Sequence, residues 1–110
     1  MRIDIRQLEF IDKTLRDILV WLEKDTGLEF TITSIYRIGD AGVHGTLPVR
    51  GVDLRMRSQA IGLEIINKIN SVWAYDPSRI GLKCAVLHGK GSNLHIHLQT
   101  HPRTALYQAV

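Results

Sequence analysis

The stretch Leu94–Thr100, LHIHLQT, constrains this chain more than any other. Its apolar and polar residues alternate, and alternation is the period of a β-strand, whose side chains leave on opposite faces. Leu94, Ile96 and Leu98 then share one face, and His95, His97 and Gln99 share the other. The apolar face looks like core. The other is a row of nitrogen and oxygen donors, which suits either a polar surface or half of a metal site.

The rest of the chain supplies material for that core. Its 110 residues suit one compact domain, 1–110, with no spare layers. Forty-five per cent are hydrophobic and 23% charged, an ordinary balance for a globular protein. No apolar run approaches the roughly 18 residues that a membrane span needs. The N-terminus, MRIDIRQLEF, carries charges where a signal peptide needs an apolar stretch, so no export signal is expected. A single cysteine, Cys84, excludes an intramolecular disulfide and a multi-cysteine zinc site. The net charge is +3, and the 14 Lys and Arg are spread along the chain. No basic block marks a nucleic-acid arm, and no nucleic-acid partner is expected.

Periodicity places the elements. From Asp4 to Gly27, Leu8, Ile11, Leu15, Ile18, Leu19 and Leu22 recur at helical spacing, with Gly27 as the stop. Leu28 to Arg37 alternates and is rich in β-branched residues, which predicts a strand. A loop follows, IGDAGVHGTLPVRG, with four glycines and a proline. Val52 to Met56 predicts a short strand with Val52, Leu54 and Met56 inward and Asp53 and Arg55 on the other face. Ser58 is placed to cap a second helix carrying the stripe Ile65, Ile66, Ile69, Val72 and Trp73. LKCAVLHGKGSNLHIHLQT predicts a hairpin turning at Gly89 to Asn93, with Cys84 in the core alongside Leu82 and Val86. The tail from His101 is expected to be irregular. The fold class is α+β: two helices packed on a small, mainly antiparallel sheet.

His44 in the glycine-rich loop, Asp53 on the strand after it, and the pair His95 and His97 form a possible zinc constellation. Zinc takes a few nitrogen and oxygen ligands, and a catalytic site keeps one position for water. Each residue also has a plain structural role. Asp53 can pair with Arg50 or Arg55, Arg37 can be a strand-end charge, and His44 can be held by backbone. Tyr36, Trp73 and Tyr75 can be core aromatics, His101 an exposed tail residue and Glu64 a solvated one.

Three separated motifs, TSIYR, VHGTLPVRGVDL and LHIHLQ, together resemble the zinc peptidase superfamily that contains D-alanyl-D-alanine carboxypeptidases, L-alanyl-D-glutamate endolysin peptidases and the Hedgehog signalling domain. The resemblance runs from about Thr33 to Thr100 in the family's order. Ser34 and Arg37 match its Ser-x-x-Arg strand. His44, Arg50, Gly51 and Asp53 match its histidine loop and aspartate strand, and His97 its final histidine. It implies that His44, Asp53 and His97 hold Zn2+ and that Arg37 steadies the oxyanion. It also implies that Ser34 and Tyr36 lie against substrate, with His95 lining the same cleft. Regular alternation cannot aim both Ser34 and Arg37 into one site, so a bulge is expected, or the strand ends at Arg37.

Two departures from the pattern matter. The loop between His44 and Asp53 is longer than the family's, and Thr46-Leu47-Pro48 reads as an insertion. The glutamate that serves the family's peptidases as general base is missing, and Gly91 stands in its place. His95 or His88 then takes the proton, or a carboxylate arrives from elsewhere, or the site binds zinc without hydrolysis. The resemblance implies a metallopeptidase acting on peptidoglycan peptides, made in the cytoplasm and carried on a phage or prophage virion or acting at the cell wall. The alternative is an inactive zinc-binding relative serving as a binding module in a phage or cell-wall assembly.

Overall fold

The computed structural model describes residues 3–35, 39–42, 45 and 47–107. Asp12 decides where the first helix begins. Its carboxylate accepts from the Leu15 N–H at 3.1 Å, an N-cap bond that satisfies one otherwise orphaned donor. Helix α1 therefore spans Lys13–Thr26. It ends at Gly27, whose φ of 67° suits glycine. Leu15, Ile18, Leu19 and Leu22 are buried along one stripe. The expected start at Asp4 is corrected, because the backbone before Asp12 is committed elsewhere. The Val49 N–H donates to Phe10 O and the Asp12 N–H to Val49 O, each at 2.8 Å, making a parallel bridge between Ile11 and Val49. Among the described residues upstream, a 3-10 turn spans Ile5–Gln7.

Four strands, β1 (Ile32–Ser34), β2 (Gly51–Arg55), β4 (Ala85–His88) and β5 (His95–Gln99), form a sheet in the order β1-β2-β5-β4. Every neighbouring pair is antiparallel. Two short strands, β3 (Trp73–Ala74) and β6 (Ala105–Leu106), pair separately. The architecture is α+β, two helices with a mainly antiparallel sheet, as expected. β1 is shorter than predicted, and its register shifts between Ile32 and Ser34. That shift is the bulge expected as one way to bring Ser34 and Arg37 to one site; the alternative, a strand ending at Arg37, lies outside the described residues.

The inner face carries Val52 and Leu54 of β2 against Leu98 and Ile96 of β5, all fully buried. Burying a side chain of that kind contributes roughly 1.5–3 kcal/mol. Helix α2, Gln59–Val72, starts at Ser58, whose Oγ accepts from the Ile61 N–H at 3.3 Å. It approaches β4 so closely that a Cβ on Gly62 would lie 2.9 Å from Leu87 Cδ1. The Asn70 amide brackets the backbone of Ala85, donating to its carbonyl at 2.9 Å and accepting from its N–H at 3.0 Å. Ile65 and Ile69 of the predicted stripe are buried. Trp73 is instead the first residue of β3, in extended conformation, with its ring in edge contact with that of Trp21 and the centroids 6.2 Å apart.

Three further expectations are corrected. Cys84 is buried, yet Val86 and Leu82 are exposed, because Val86 lies opposite His97 on the outer face. The tail is ordered by β6 and by Thr104, whose hydroxyl donates to Tyr75 O at 2.7 Å and accepts from the His101 N–H at 2.8 Å. His101 is therefore not a free tail residue, and its ring lies 5.5 Å from that of Tyr75. Among the described residues, no helix is long and apolar enough to cross a membrane.

Candidate functional site

The outer face of the sheet is built by register. Asp53 pairs with His97 and Arg55 with His95 across β2 and β5, while Val86 and His88 oppose His97 and His95 across β4 and β5. Directly opposed residues on one face have Cβ atoms about 4.5–5.5 Å apart, so the polar side chains meet in two rows. In the first row His97 Nδ1 lies 3.1 Å from Asp53 Oδ1. The pair is only partly open to solvent, with Asp53 8% exposed. Among the described residues its carboxylate meets the imidazole rather than Arg50 or Arg55. Arg50 instead faces Asp12, Nε to Oδ1, at 3.9 Å.

Gln99 completes that row. Its amide NH2 donates to Lys83 O at 3.2 Å, which turns its Oε1 toward His97 Nε2 at 3.2 Å. Both ring nitrogens thus face oxygen acceptors, whereas a neutral imidazole has one N–H to offer. A metal ion taken up at either nitrogen would displace one of these oxygens. Asp53 and His97 fit a zinc donor set in chemistry and in proximity. The third expected ligand, His44, lies outside the described residues, as do Tyr36 and Arg37. Among the described residues, no three His, Cys, Asp or Glu side chains form a group able to hold a metal.

In the second row His95 Nδ1 donates to the Asn93 carbonyl at 2.8 Å, and this fixes Nε2 as the nitrogen with the free lone pair. Its ring centroid lies 5.8 Å from that of His88, and His88 lies 6.4 Å from His97. The expectation that His88 reaches across the hairpin to the His-x-His strand agrees with this geometry. Ser34 faces Asp53 across β1 and β2. Ser34, Thr33, Asp53, Arg55, Asn93 and His95 line a cleft of about 340 Å³. A larger hollow, about 410 Å³, lies along α1 between Arg6, Asp17, Trp21 and Lys24. It has no histidine, and its mixed charges give it no reacting group.

Gly91, where the family's glutamate would fall, opens a short 3-10 turn at φ 56°. Cys84 offers no alternative nucleophile or ligand, since burial pushes its thiol up to about 11 and thiolate is the reactive form. Glu64 is solvent-exposed on α2. The Asp40 carboxylate accepts from the Gly42 N–H at 2.6 Å. Sequence reading placed Gln99 in the donor row and offered Arg55 only as an ion-pair partner for Asp53, and it did not anticipate the Asn93 carbonyl. Alternation already puts Gln99 and Arg55 on the histidine face, but nothing local predicts the use of a backbone carbonyl.

The fold and this histidine row define an α+β protein with a polar, cleft-bearing sheet face. Comparison with family models, with curated proteins and with solved structures returned no match for the chain.

Proposed function

We propose that the chain is a zinc metallopeptidase-like domain that hydrolyses peptide bonds in peptidoglycan stem or cross-link peptides. The observation that carries this reading is the Asp53–His97 pair, 3.1 Å apart across β2 and β5, beside a cleft lined by Ser34 and His95. Asp53 and His97 would hold the ion, with His44 as the third ligand. When bound, zinc supplies a Lewis acid and a water of lowered pKa. His88, whose ring lies 6.4 Å from that of His97, and His95 beside it would take the proton, a service worth roughly a hundred- to ten-thousand-fold in rate. Arg37 would steady the oxyanion, and Ser34 and Tyr36 would hold the peptide.

A second reading has its own support. The segment between His88 and His95, GKGSNL, contains no carboxylate, and a site without its base suits a zinc-holding binding module. The metal content of protein purified without added metal, compared with that of His97→Ala, tests the zinc assignment. One equivalent lost on substitution is the expected result, and full retention overturns it. Release of free amino groups from peptidoglycan then separates the two readings. A protein that holds zinc and releases none is the binding module.

A further inference from the structure

We propose that His88 and His95 form a chelate for one divalent first-row transition ion, separate from the Asp53–His97 pair. The two residues face each other directly across β4 and β5, and their ring centroids are 5.8 Å apart. A metal–nitrogen bond of about 2.0–2.1 Å puts the ion roughly 3 Å from each ring centre. Two rings sharing one ion then sit about 4.5 Å apart at a right-angled bite and about 6.4 Å apart when opposed. The observed separation falls inside that window. The His88–His97 separation of 6.4 Å sits at the fully opposed limit, and both nitrogens of His97 already face oxygens.

A second observation points to the same use. His95 donates its Nδ1 hydrogen to the Asn93 carbonyl, the arrangement that fixes tautomer and ring orientation in metal-ligating histidines. Nε2 is left as a lone pair. His88 is exposed on β4, at the edge of the sheet, and its ring makes no hydrogen bond among the described residues. An ion can therefore enter from solvent, with water filling its remaining positions.

The donor set selects the class of ion. Two neutral imidazoles favour Cu2+, Ni2+ or Zn2+ over Mg2+ and Ca2+, which take oxygen ligands. Arg55, opposite His95 on β2, adds a positive charge that disfavours weakly held cations further. Binding here does not rest on the peptidase reading, since His97→Ala removes a proposed zinc ligand and leaves this pair intact. If that reading holds as well, one ion at this pair would occupy both imidazoles proposed to take the proton.

The test is calorimetric titration of Ni2+ into the full chain and into His88→Gln, His95→Gln and His97→Ala. Resonances of the histidine rings are followed at substoichiometric Cu2+. His88→Gln keeps a polar side chain at an exposed edge position, so the fold should survive it. The expected result is Ni2+ uptake by the parent chain and its weakening by at least about tenfold in each of the first two variants, since even outer-shell losses cost 10–100-fold. His97→Ala should keep this binding, and Cu2+ should broaden His88 and His95 before His101. Unchanged Ni2+ affinity in His88→Gln, no uptake by the parent chain, or loss of this binding in His97→Ala would each overturn the proposal.

Discussion

The two faces of the four-stranded sheet share one backbone and one register, yet they are held to it by different physics. On the inner face, Val52, Leu54, Ile96 and Leu98 are fully buried, and their contribution comes from apolar area removed from water and from close packing. On the outer face, Asp53, His97, His95 and His88 meet through a few directional contacts at the edge of solvent. The exposed contacts among these contribute little to stability, and the largely buried Asp53–His97 contact adds about one hydrogen bond's worth. Stability and candidate chemistry are thus assigned to opposite sides of the same strands. Substitution on one side should leave the property of the other side in place.

The largest expected effect lies on the inner face. Ile96→Ala removes a fully buried side chain and should cost about 2–5 kcal/mol, since the cavity left behind adds to the lost transfer energy. His97→Ala, one position along the same strand, takes one partner from the buried Asp53 carboxylate and should cost less, about 1–3 kcal/mol. Urea unfolding of both variants, beside the parent chain, measures the difference. Equal losses would break the contrast between the faces.

That contrast was largely legible in the sequence, because it depends on a local period. Alternation in Leu94–Thr100 and Val52–Met56 predicted both which side chains would be buried and that Asp53, His95 and His97 would share a face. Ser58, the α2 stripe and the Gly89–Asn93 turn are also short-range signals. What escaped depends on partners distant in the chain. The Asp4–Gly27 periodicity continues through Ile11, and the bridge to Val49 together with the Asp12 cap stops the helix there. The pairing of Ala105–Leu106 with Trp73–Ala74 and the docking of Asn70 on Ala85 have no signature of their own. Val86 reads as apolar and inward, but its position opposite His97 is decided by the hairpin register. His44, Arg37 and Tyr36 lie outside the described residues, so the candidate site is built here from β1, β2, β4 and β5.

A smaller effect sharpens the comparison where the inner face ends. Thr100 is polar and 1% exposed. Its hydroxyl donates to Asp12 Oδ2 at 3.0 Å, and that same oxygen caps α1 through Leu15. This buried polar contact ties the start of α1 to the end of β5. Asp12→Ala removes the cap and its link to Thr100 and should cost about 1–2 kcal/mol. Thr100→Val removes one neutral donor from a carboxylate that keeps its cap bond, so it should cost less than Asp12→Ala. Thermal unfolding of the two variants gives the order, and a larger loss in Thr100→Val would show that the hydroxyl, not the cap, holds this corner.

The effect with the clearest sign comes from setting Asp53 against the other buried aspartate. Asp76 is 3% exposed and is satisfied within its own loop. Its Oδ1 accepts from the Ser78 hydroxyl at 2.7 Å and the Ser78 N–H at 3.0 Å, and its Oδ2 accepts from Arg79 Nε at 2.8 Å. The Ser78 hydroxyl, then the Arg79 guanidinium, then the Ser78 N–H hold its carboxyl well below the usual carboxylate range. These donors favour the charged form only in the folded chain. The stabilisation is therefore fully present above the unfolded value near pH 4, and it is lost as pH falls below that toward the lowered folded value. Asp76→Asn keeps an oxygen for Ser78 but turns an amide toward Arg79 and does not titrate. The gap in urea midpoint between parent and variant should be open at pH 7 and should narrow steadily below about pH 4. A gap that stays constant from pH 7 to pH 3 would mean that the loop is held by shape alone, and that the charge on Asp76 contributes nothing to the fold.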